Sequence, residues 1–416
     1  MSQPPPDKNA RRTVLKSLAL TVAASYSGVG AARATLAPAH ADSGPLKVGV
    51  LLPVSSRYPE LGERYLAGLS LALNVPGVQL LTRLVGSRPA DLQTAAQGLL
   101  TSEGVHMLVA LGDGLQAQLR GLADHHRVSL IVSELGGLMP RGESGSAFVF
   151  GNSLQLWQAQ WALGAWSARN LGRRVQIVTS LLESGYDLPY AFASGVESVG
   201  GTVLHTSFAD SFAGQMQSAE VLSHSRELRP DHLHFIASES QTLDFVAAYG
   251  RSLHRLPPLT ASGLALGEAL RPVGGSRGVR SALSWAADLE SPVNRRFTQA
   301  YQRRTGRAPD ALAALGFETG EWTLQALAAV QGHHSRTQAW LHALGSAKFS
   351  SPRGDVSVDA QRRALAPLYL RVSAQQGSAF VHRLAGHLAA PPTHHRALQA
   401  LLESPRSGWL GTYLHA

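Results

Sequence analysis

Gly112-Asp113-Gly114 interrupts the sequence at the end of an apolar run, and Glu134 ends the next apolar run. A glycine turn between a strand and a helix points backbone N–H groups at a ligand, and the helix dipole there favours negative charge. An acid about 20 residues further on completes a spacing close to a dinucleotide fingerprint. Asp113, however, would repel a phosphate and attract a cation such as a ligand ammonium. The alternative is a tight turn in which Asp113 caps the following helix.

A second polar group follows the first apolar run of the chain. Ser55, Ser56, Arg57 and Tyr58 supply hydroxyl and guanidinium donors that suit a ligand carboxylate. A solvated turn before a helix would have the same composition. We expect ligand binding here, because this turn and the Gly112 turn both follow strands.

Three later strand ends carry further candidates for ligand binding. Glu134 and Gly136 end the fourth strand, Glu239 follows a strand in the second half, and Ser262 follows another. Glu239 has the charge to bind an ammonium group. Each of these residues also fits a simpler role, as a turn residue or a solvated strand end.

Catalytic and metal chemistry find little support in the sequence. The chain has no cysteine, so thiolate ligands, disulfides and thiol nucleophiles are excluded. The histidine pairs 125–126, 333–334 and 394–395 are adjacent residues, whose side chains diverge on a helix. No HExxH motif and no nucleophile–base pair stands out. We therefore expect no metal, no cofactor and no enzymatic activity.

Short apolar runs alternate with helical patterns along most of the chain. Strands are predicted at 45–53, 78–85, 105–111 and 129–134, with a helical stripe of Leu61, Tyr65, Leu69 and Ala72 after the first. The rhythm restarts after residue 153 and continues to about residue 285. This βα alternation predicts two lobes with mostly parallel sheets, joined by a hinge. Ligands bind at the carboxyl ends of parallel strands, so a cleft between the two lobes is the expected site.

Residues 1–41 have the pattern of an export signal. A polar, basic start is followed by a mildly apolar stretch and then by Ala39-His40-Ala41, a small-residue cleavage pattern. Arg11-Arg12 resembles the twin-arginine export motif, and an ordinary secretory signal is the alternative. We expect cleavage after Ala41 and no transmembrane segment in the mature chain.

The charge of the chain does not favour a nucleic-acid partner. The formal net charge is +9, but part of it lies in the export signal and the rest is scattered. Without a basic stripe or patch, electrostatic binding to nucleic acid is a weak interpretation.

Five segments, in order, resemble the type I periplasmic solute-binding proteins of the branched-chain amino acid and amide ABC uptake family. They span roughly residues 46–373 and read "LKVGVLLPVSSRYPELGERYLAGLSLAL", "SEGVHMLVALGDG", "GRRVQIVTSLLESGYDLPYAFASGVESVGGTVL", "FTQAYQRRTGRAPDALAALGFETGEWTLQAL" and "GDVSVDAQRRALAPLYL". Asp113, Glu134 and Asp187 depart from the family pattern. These departures make an ordinary branched-chain amino acid a doubtful ligand.

The resemblance implies an α/β fold of two doubly wound parallel-sheet lobes joined by a three-strand hinge. The implied domains are 46–150 with 286–350, 151–285 with 351–373, and an extension at 374–416. It also places Tyr186 where the family has an aromatic residue over the ligand.

The resemblance further implies a monomer that captures a small polar solute for the permease of an ABC transporter in the inner membrane. A periplasmic sensor of the same fold is an alternative. An exported cofactor enzyme that uses the Gly112 turn is another.

Overall fold

The computed structural model describes the chain from residue 44 with several gaps. The described residues are 44–54, 60–86, 88–139, 145–211, 215–252, 256–263, 269–270, 277–377, 379–392 and 399–400. All of them belong to one compact unit, Pro38–Ala416. The predicted export signal, Ser55 to Tyr58 and the side chain of Glu239 lie outside the described part.

The first half of the chain forms a five-stranded sheet, called here the first sheet. Its neighbouring strands are all parallel, in the order β2-β1-β3-β4-β5. The strands are β1 (Leu46–Pro53), β2 (Val78–Val85), β3 (Met107–Leu111), β4 (Ser129–Glu134) and β5 (Val149–Ser153). The helices between them are α1 (Leu61–Leu73), α2 (Pro89–Thr101) and α3 (Leu115–His126).

The predicted apolar stripe explains why α1 packs where it does. Leu61, Tyr65, Leu69 and Ala72 are each at most 2% exposed, and they lie on one face of α1 because their spacing matches the helical repeat. Strand β1 is buried on both faces, as an apolar run in a parallel sheet requires.

The next part of the chain forms most of a second sheet. Its strands are β6 (Arg174–Thr179), β7 (Thr202–Phe208), β8 (His232–Ile236), β9 (Leu259–Ala261), β10 (Ala269–Leu270) and β11 (Arg280–Leu283). The accompanying helices are α4 (Leu156–Asn170), α5 (Leu188–Glu197), α6 (Ser218–Leu228) and α7 (Glu239–Arg251).

The remaining elements begin at residue 292 and include a small third sheet. They are α8 (Pro292–Thr305), α9 (Ala311–Ala329), α10 (Thr337–Gly345), β12 (Lys348–Ser351), β13 (Gly354–Val358), β14 (Ala364–Leu365), β15 (Leu368–Gln376) and β16 (Ala379–Leu388). Strands β12 to β14 form a small sheet of their own, while β15 and β16 join the second sheet.

The second sheet is mixed, in the order β10-β16-β15-β11-β9-β8-β6-β7. Its β6, β7, β8, β9 and β11 pair in parallel, whereas β15 and β16 pair antiparallel. The β15–β16 hairpin therefore extends the parallel part beyond β11, and β10 pairs antiparallel with β16 at this edge of the sheet.

Helix α9 returns to the first sheet and packs closely on α1. A Cβ added to Gly68 would lie 2.0 Å from the carbonyl oxygen of Ala313, and one on Gly316 would lie 2.1 Å from that of Tyr65. Only glycine permits this approach of two helix backbones.

The predicted strands and helices match the structure with shifts of a few residues, and several elements were missed. The segment 148–153 was not assigned as a strand, and β10, α10, β12 and β16 were not predicted. Residues 379–388, predicted as part of a C-terminal extension, form β16 of the second sheet. No helix in the described ranges is long and apolar enough to cross a membrane.

Candidate functional site

The Gly112 turn has the conformation that its glycines predict. Gly112 and Gly114 have φ angles of 150° and 78°, and Gly114 is the N-cap of α3. The N–H of Gly112 donates to the carbonyl oxygen of Ser133 at 2.9 Å, which fixes the turn to the end of β4. Left-handed φ values of this kind favour glycine at both positions.

Asp113 has partners that neither sequence interpretation anticipated. It is 1% exposed and makes no cap to α3. Its Oδ1 accepts from the N–H groups of Leu135 at 2.6 Å and Gly136 at 3.2 Å, and its Oδ2 accepts from that of Gly137 at 2.8 Å. Burial raises the pKa of Asp113, and these backbone donors oppose the rise. In this conformation Asp113 holds the loop that follows β4.

Glu134 lies against the N-terminus of α3. Its Oε1 accepts from the N–H of Gly114 at 3.2 Å, and its Oε2 accepts from the side-chain amide of Gln116 at 3.3 Å. A carboxylate at a helix N-terminus is favourable because it offsets the positive end of the dipole. A phosphate at the same place would meet a negative charge, so the dinucleotide interpretation of this turn loses its physical basis.

The loop after β4 contacts a loop of the second sheet. Gly136 has a φ angle of 78°, and a Cβ on it would lie 2.4 Å from Oγ of Ser153. The next residue, Gly137, accepts a hydrogen bond from the N–H of Asp187 at 3.2 Å, and Oδ2 of Asp187 accepts from the N–H of Met139 at 2.7 Å. Asp187 follows β6, so loops from the carboxyl ends of both sheets are in direct contact.

Tyr186 and Tyr190 occupy different environments in the segment after β6. Tyr186 is 4% exposed and packs in the core, whereas Tyr190, in the first turn of α5, is 39% exposed. Sequence reasoning selected Tyr186 and missed Tyr190. The sequence signal for Tyr190 was a second aromatic residue four positions after Tyr186, just past the start of the helix.

The second sheet also has an acidic residue two positions after the end of a strand. Asp210 follows β7 as Asp113 follows β3, and it is also buried. Its Oδ1 accepts from the N–H of Leu181 and its Oδ2 from the side-chain amide of Gln241, both at 2.8 Å. The loops after β6, β7 and β8 are thereby joined. Sequence reasoning missed Asp210, although its offset from the strand equals that of Asp113.

The two remaining candidates lie at other strand ends of the second sheet. Glu239 begins α7 directly after Ser238, which forms a capping box with Gln241. Ser262 is 4% exposed, and its N–H donates to the carbonyl oxygen of Phe235 at 2.9 Å. Every candidate with a described backbone therefore lies near the carboxyl end of a parallel strand. Among the hydrogen bonds of the described residues, none joins the candidates of the first sheet to Glu239 or Ser262.

A buried polar network runs beneath this edge of the first sheet. The hydroxyl of Tyr65 is 2.7 Å from that of Ser133, which is 3.0 Å from that of Thr319. The side-chain amide of Asn152 donates to Thr319 at 3.1 Å. Fully satisfied networks of this kind give an interior a single arrangement, so the edge that carries the candidate site has a rigid support.

Two buried histidines, His232 and His234, lie in β8 in the core of the second sheet. His234 lies 2.7 Å from Oε1 of Gln160 and 2.9 Å from Oγ1 of Thr260, and its ring stacks on Phe192 at 3.6 Å between centroids. Burial lowers the pKa of His234 well below its usual value and that of His232 to about 4. Within the described ranges, no group of three His, Asp or Glu side chains could hold a metal ion. The pair 394–395 lies outside those ranges.

Comparisons with known proteins agree with this architecture. A family model described as "Periplasmic binding protein" matches residues 45–377. None of the curated proteins matches the chain significantly.

Solved structures share the fold at low sequence identity. A solute-binding protein from R. palustris in complex with benzoate is 23% identical, with a TM-score of 0.69 over 84% of this chain and 98% of that one. An ABC transporter substrate-binding protein from Sphaerobacter thermophilus is 21% identical, with a TM-score of 0.72 over 83% and 98% of the two chains. A leucine-binding protein from Thermotoga maritima is 18% identical, with a TM-score of 0.64 over 82% and 98%.

Proposed function

Because the chain belongs to the periplasmic binding protein family, we propose that it is the exported substrate-binding component of an ABC-type transporter. It captures a small polar solute, such as an amino acid, an amide or an organic acid, between its two sheets. The mature protein begins after Ala41, resides in the periplasm as a monomer and delivers the solute to the permease. It needs no cofactor and catalyses no reaction.

One observation supports this proposal above the others. The loops at Gly137 and Met139 of the first sheet touch Asp187 of the second. Ligands of open parallel sheets bind outside the carboxyl ends of the strands. Where the carboxyl ends of the two sheets are in contact, both sheets offer hydrogen-bond donors and acceptors to a ligand. A ligand that contacts both sheets favours the closed arrangement.

The charge of Glu134 narrows the chemistry of the solute. The carboxylate already accepts from the N-terminal amide of α3, so a ligand carboxylate is disfavoured there. We propose that a ligand ammonium or amide group lies beside Glu134. The other binding residues we propose, some of them outside the described ranges, are Ser55, Ser56, Arg57, Tyr58, Gly112, Asp113, Gly114, Gly136, Tyr186, Glu239 and Ser262.

Apolar surface near the same edge adds a second property. Val54 is 58% exposed just after β1, and Phe208 is 46% exposed at the end of β7. Tyr190 adds an exposed aromatic ring at the start of α5. A solute with a polar group and a compact apolar or aromatic part would use both kinds of surface.

Isothermal titration of the purified mature chain tests the proposal. The panel contains leucine and other amino acids, their amides, benzoate and 4-hydroxybenzoate, since structurally similar proteins from R. palustris are bound to the last two. We expect saturable heat with at least one member. Absence of heat with every member, together with no small molecule released on denaturing the native protein, would overturn the proposed function.

A variant tests the proposed role of Glu134 separately. Glu134→Gln should weaken the binding of an ammonium or amide ligand about tenfold, or about 1.4 kcal/mol. Glu103→Gln removes the same charge from an exposed ion pair with Arg83 and should leave affinity unchanged. Equal affinity of Glu134→Gln and the unaltered protein would refute the role of Glu134 without touching the proposed function.

A further inference from the structure

The chain passes between the first and second sheets three times. The first crossing lies between β5 and α4, the second between β11 and α8, and the third between β14 and β15. Helix α9 contacts β4 and β5, and α4 contacts β11 and β15, so each crossing separates elements that pack on different sheets.

The side chain of Arg353, in the turn between β12 and β13, joins the first two crossings. Its Nη1 donates to the carbonyl oxygen of Ser153 at 2.6 Å and to Oγ of Ser284 at 2.9 Å. Its Nη2 donates to Asn152 at 2.8 Å and to Oε1 of Glu318, and its Nε donates to Oε2 of Glu318 at 2.8 Å. Ser153 begins the first crossing and Ser284 the second.

The backbone of the same turn meets the third crossing. The hydroxyl of Tyr369, the second residue of β15, donates to the carbonyl oxygen of Arg353 at 2.7 Å. A Cβ on Gly354 would lie 3.3 Å from Cγ of Pro367. One residue and its neighbour therefore touch all three crossings.

The place where Arg353 meets the three crossings, called here the junction, is stiff because Arg353 is buried and makes many hydrogen bonds. Arg353 and Glu318 are both 0% exposed, so water does not replace a broken bond. A guanidinium has five N–H donors in a fixed plane, and Arg353 makes five side-chain hydrogen bonds. A rotation of the first crossing relative to the second must break at least one of these side-chain bonds, and a rotation of the third must strain the bond from Tyr369 to the carbonyl oxygen of Arg353.

We propose that Arg353, paired with Glu318, is a positioning residue that pins the three crossings together and restricts the relative rotation of the two sheets before ligand binds. The effect of Arg353 on ligand affinity rests on the proposed function, because a restricted open state changes affinity only in a binding protein that closes over its ligand. The restriction itself is independent of any ligand.

Mild variants loosen the junction while the ion pair stays intact. Ser284→Ala removes an acceptor of Arg353 and also the donor to the carbonyl oxygen of Leu154 at 2.9 Å. Tyr369→Phe removes the bond to the third crossing. Tyr65→Phe is the matched control, because it removes a buried hydroxyl bond to Ser133 that touches no crossing.

Spin-label distance measurements report the relative motion of the sheets. The chain contains no cysteine, so Ala117→Cys on α3 and Ala219→Cys on α6, both exposed, give two specific labels. Double electron–electron resonance without ligand should show a distance distribution about twofold broader for Ser284→Ala and for Tyr369→Phe than for the parent. Tyr65→Phe should keep the parent width.

Two outcomes would overturn the proposal. One is an unchanged width in both junction variants, with circular dichroism showing that they fold. The other is equal broadening in Tyr65→Phe, which would indicate general loosening of the core. Because the measurement needs no ligand, it remains decisive even when the titrations of the proposed function find no binding.

Discussion

Replacing Asp113 by asparagine tests whether its buried carboxylate holds the loop after β4. Asparagine keeps the size of the side chain and one acceptor oxygen, which can still accept from Leu135 and Gly136. Its NH2 group then faces the N–H of Gly137, where the carboxylate now accepts at 2.8 Å. One bond is lost, and a donor is left facing another donor.

The expected cost of Asp113→Asn follows from these bonds. A hydrogen bond to a charged group contributes about 1.5–3 kcal/mol, and the two that remain become weaker when the charge is removed. Burying a neutral amide costs less than burying a carboxylate, which offsets part of the loss. We expect the free energy of unfolding to fall by about 2 kcal/mol.

Urea unfolding at pH 7, followed by tryptophan fluorescence, measures this change, and Asp210→Asn is the matched control. Asp210 accepts from only one backbone N–H, which the asparagine oxygen can keep, and from the side-chain amide of Gln241, which loses this one bond. Its replacement should cost about 1 kcal/mol or less. Equal stability of Asp113→Asn and the unaltered protein would refute the reasoning.

Two further predictions concern pH and backbone strain. Because the pKa of His232 falls from 6.5 to about 4 on folding, the unfolded chain takes up a proton as pH drops below 6.5 while the native chain does not. The free energy of unfolding should therefore decline by up to about 3 kcal/mol between pH 6.5 and 4 through this residue alone. Urea unfolding across that range should show a shallower decline in His232→Gln, and equal slopes would contradict the assignment. Gly136→Ala should cost more than Gly77→Ala in the same assay. Both have positive φ, but only Gly136 places the new methyl 2.4 Å from Ser153. Equal losses would show that this contact relaxes freely.

Much of the fold could be predicted from periodicity and composition. The bounds of β4 match its apolar run because a strand buried in a parallel sheet needs an uninterrupted apolar segment. The bounds of β2 were also predicted, although this edge strand is mixed in composition and mostly half-buried or exposed. Strand β5 was missed because "VFGNS" is short and half polar, and it is stabilised by pairing with β4. Strand β16 was missed because its pattern has meaning only beside β15.

The candidate site, like the fold, could be predicted only in part from the sequence. Sequence spacing alone located the Gly112 turn and the acids near it, since turn glycines and strand ends are local features. Whether Asp113 faces a ligand or the amides at 135–137 depends on how the loop after β4 folds back, and that loop is more than 20 residues away.

The sequence by itself determined most of the alternation of strands and helices, the glycine turns and the position of many strand ends, because each depends on interactions between near neighbours in the chain. The tertiary structure decided which carboxylates are satisfied, which aromatic ring remains exposed and where the three crossings meet at Arg353. Those outcomes depend on groups up to about 200 residues apart, such as Arg353 and Ser153, whose proximity arises only when both sheets have packed.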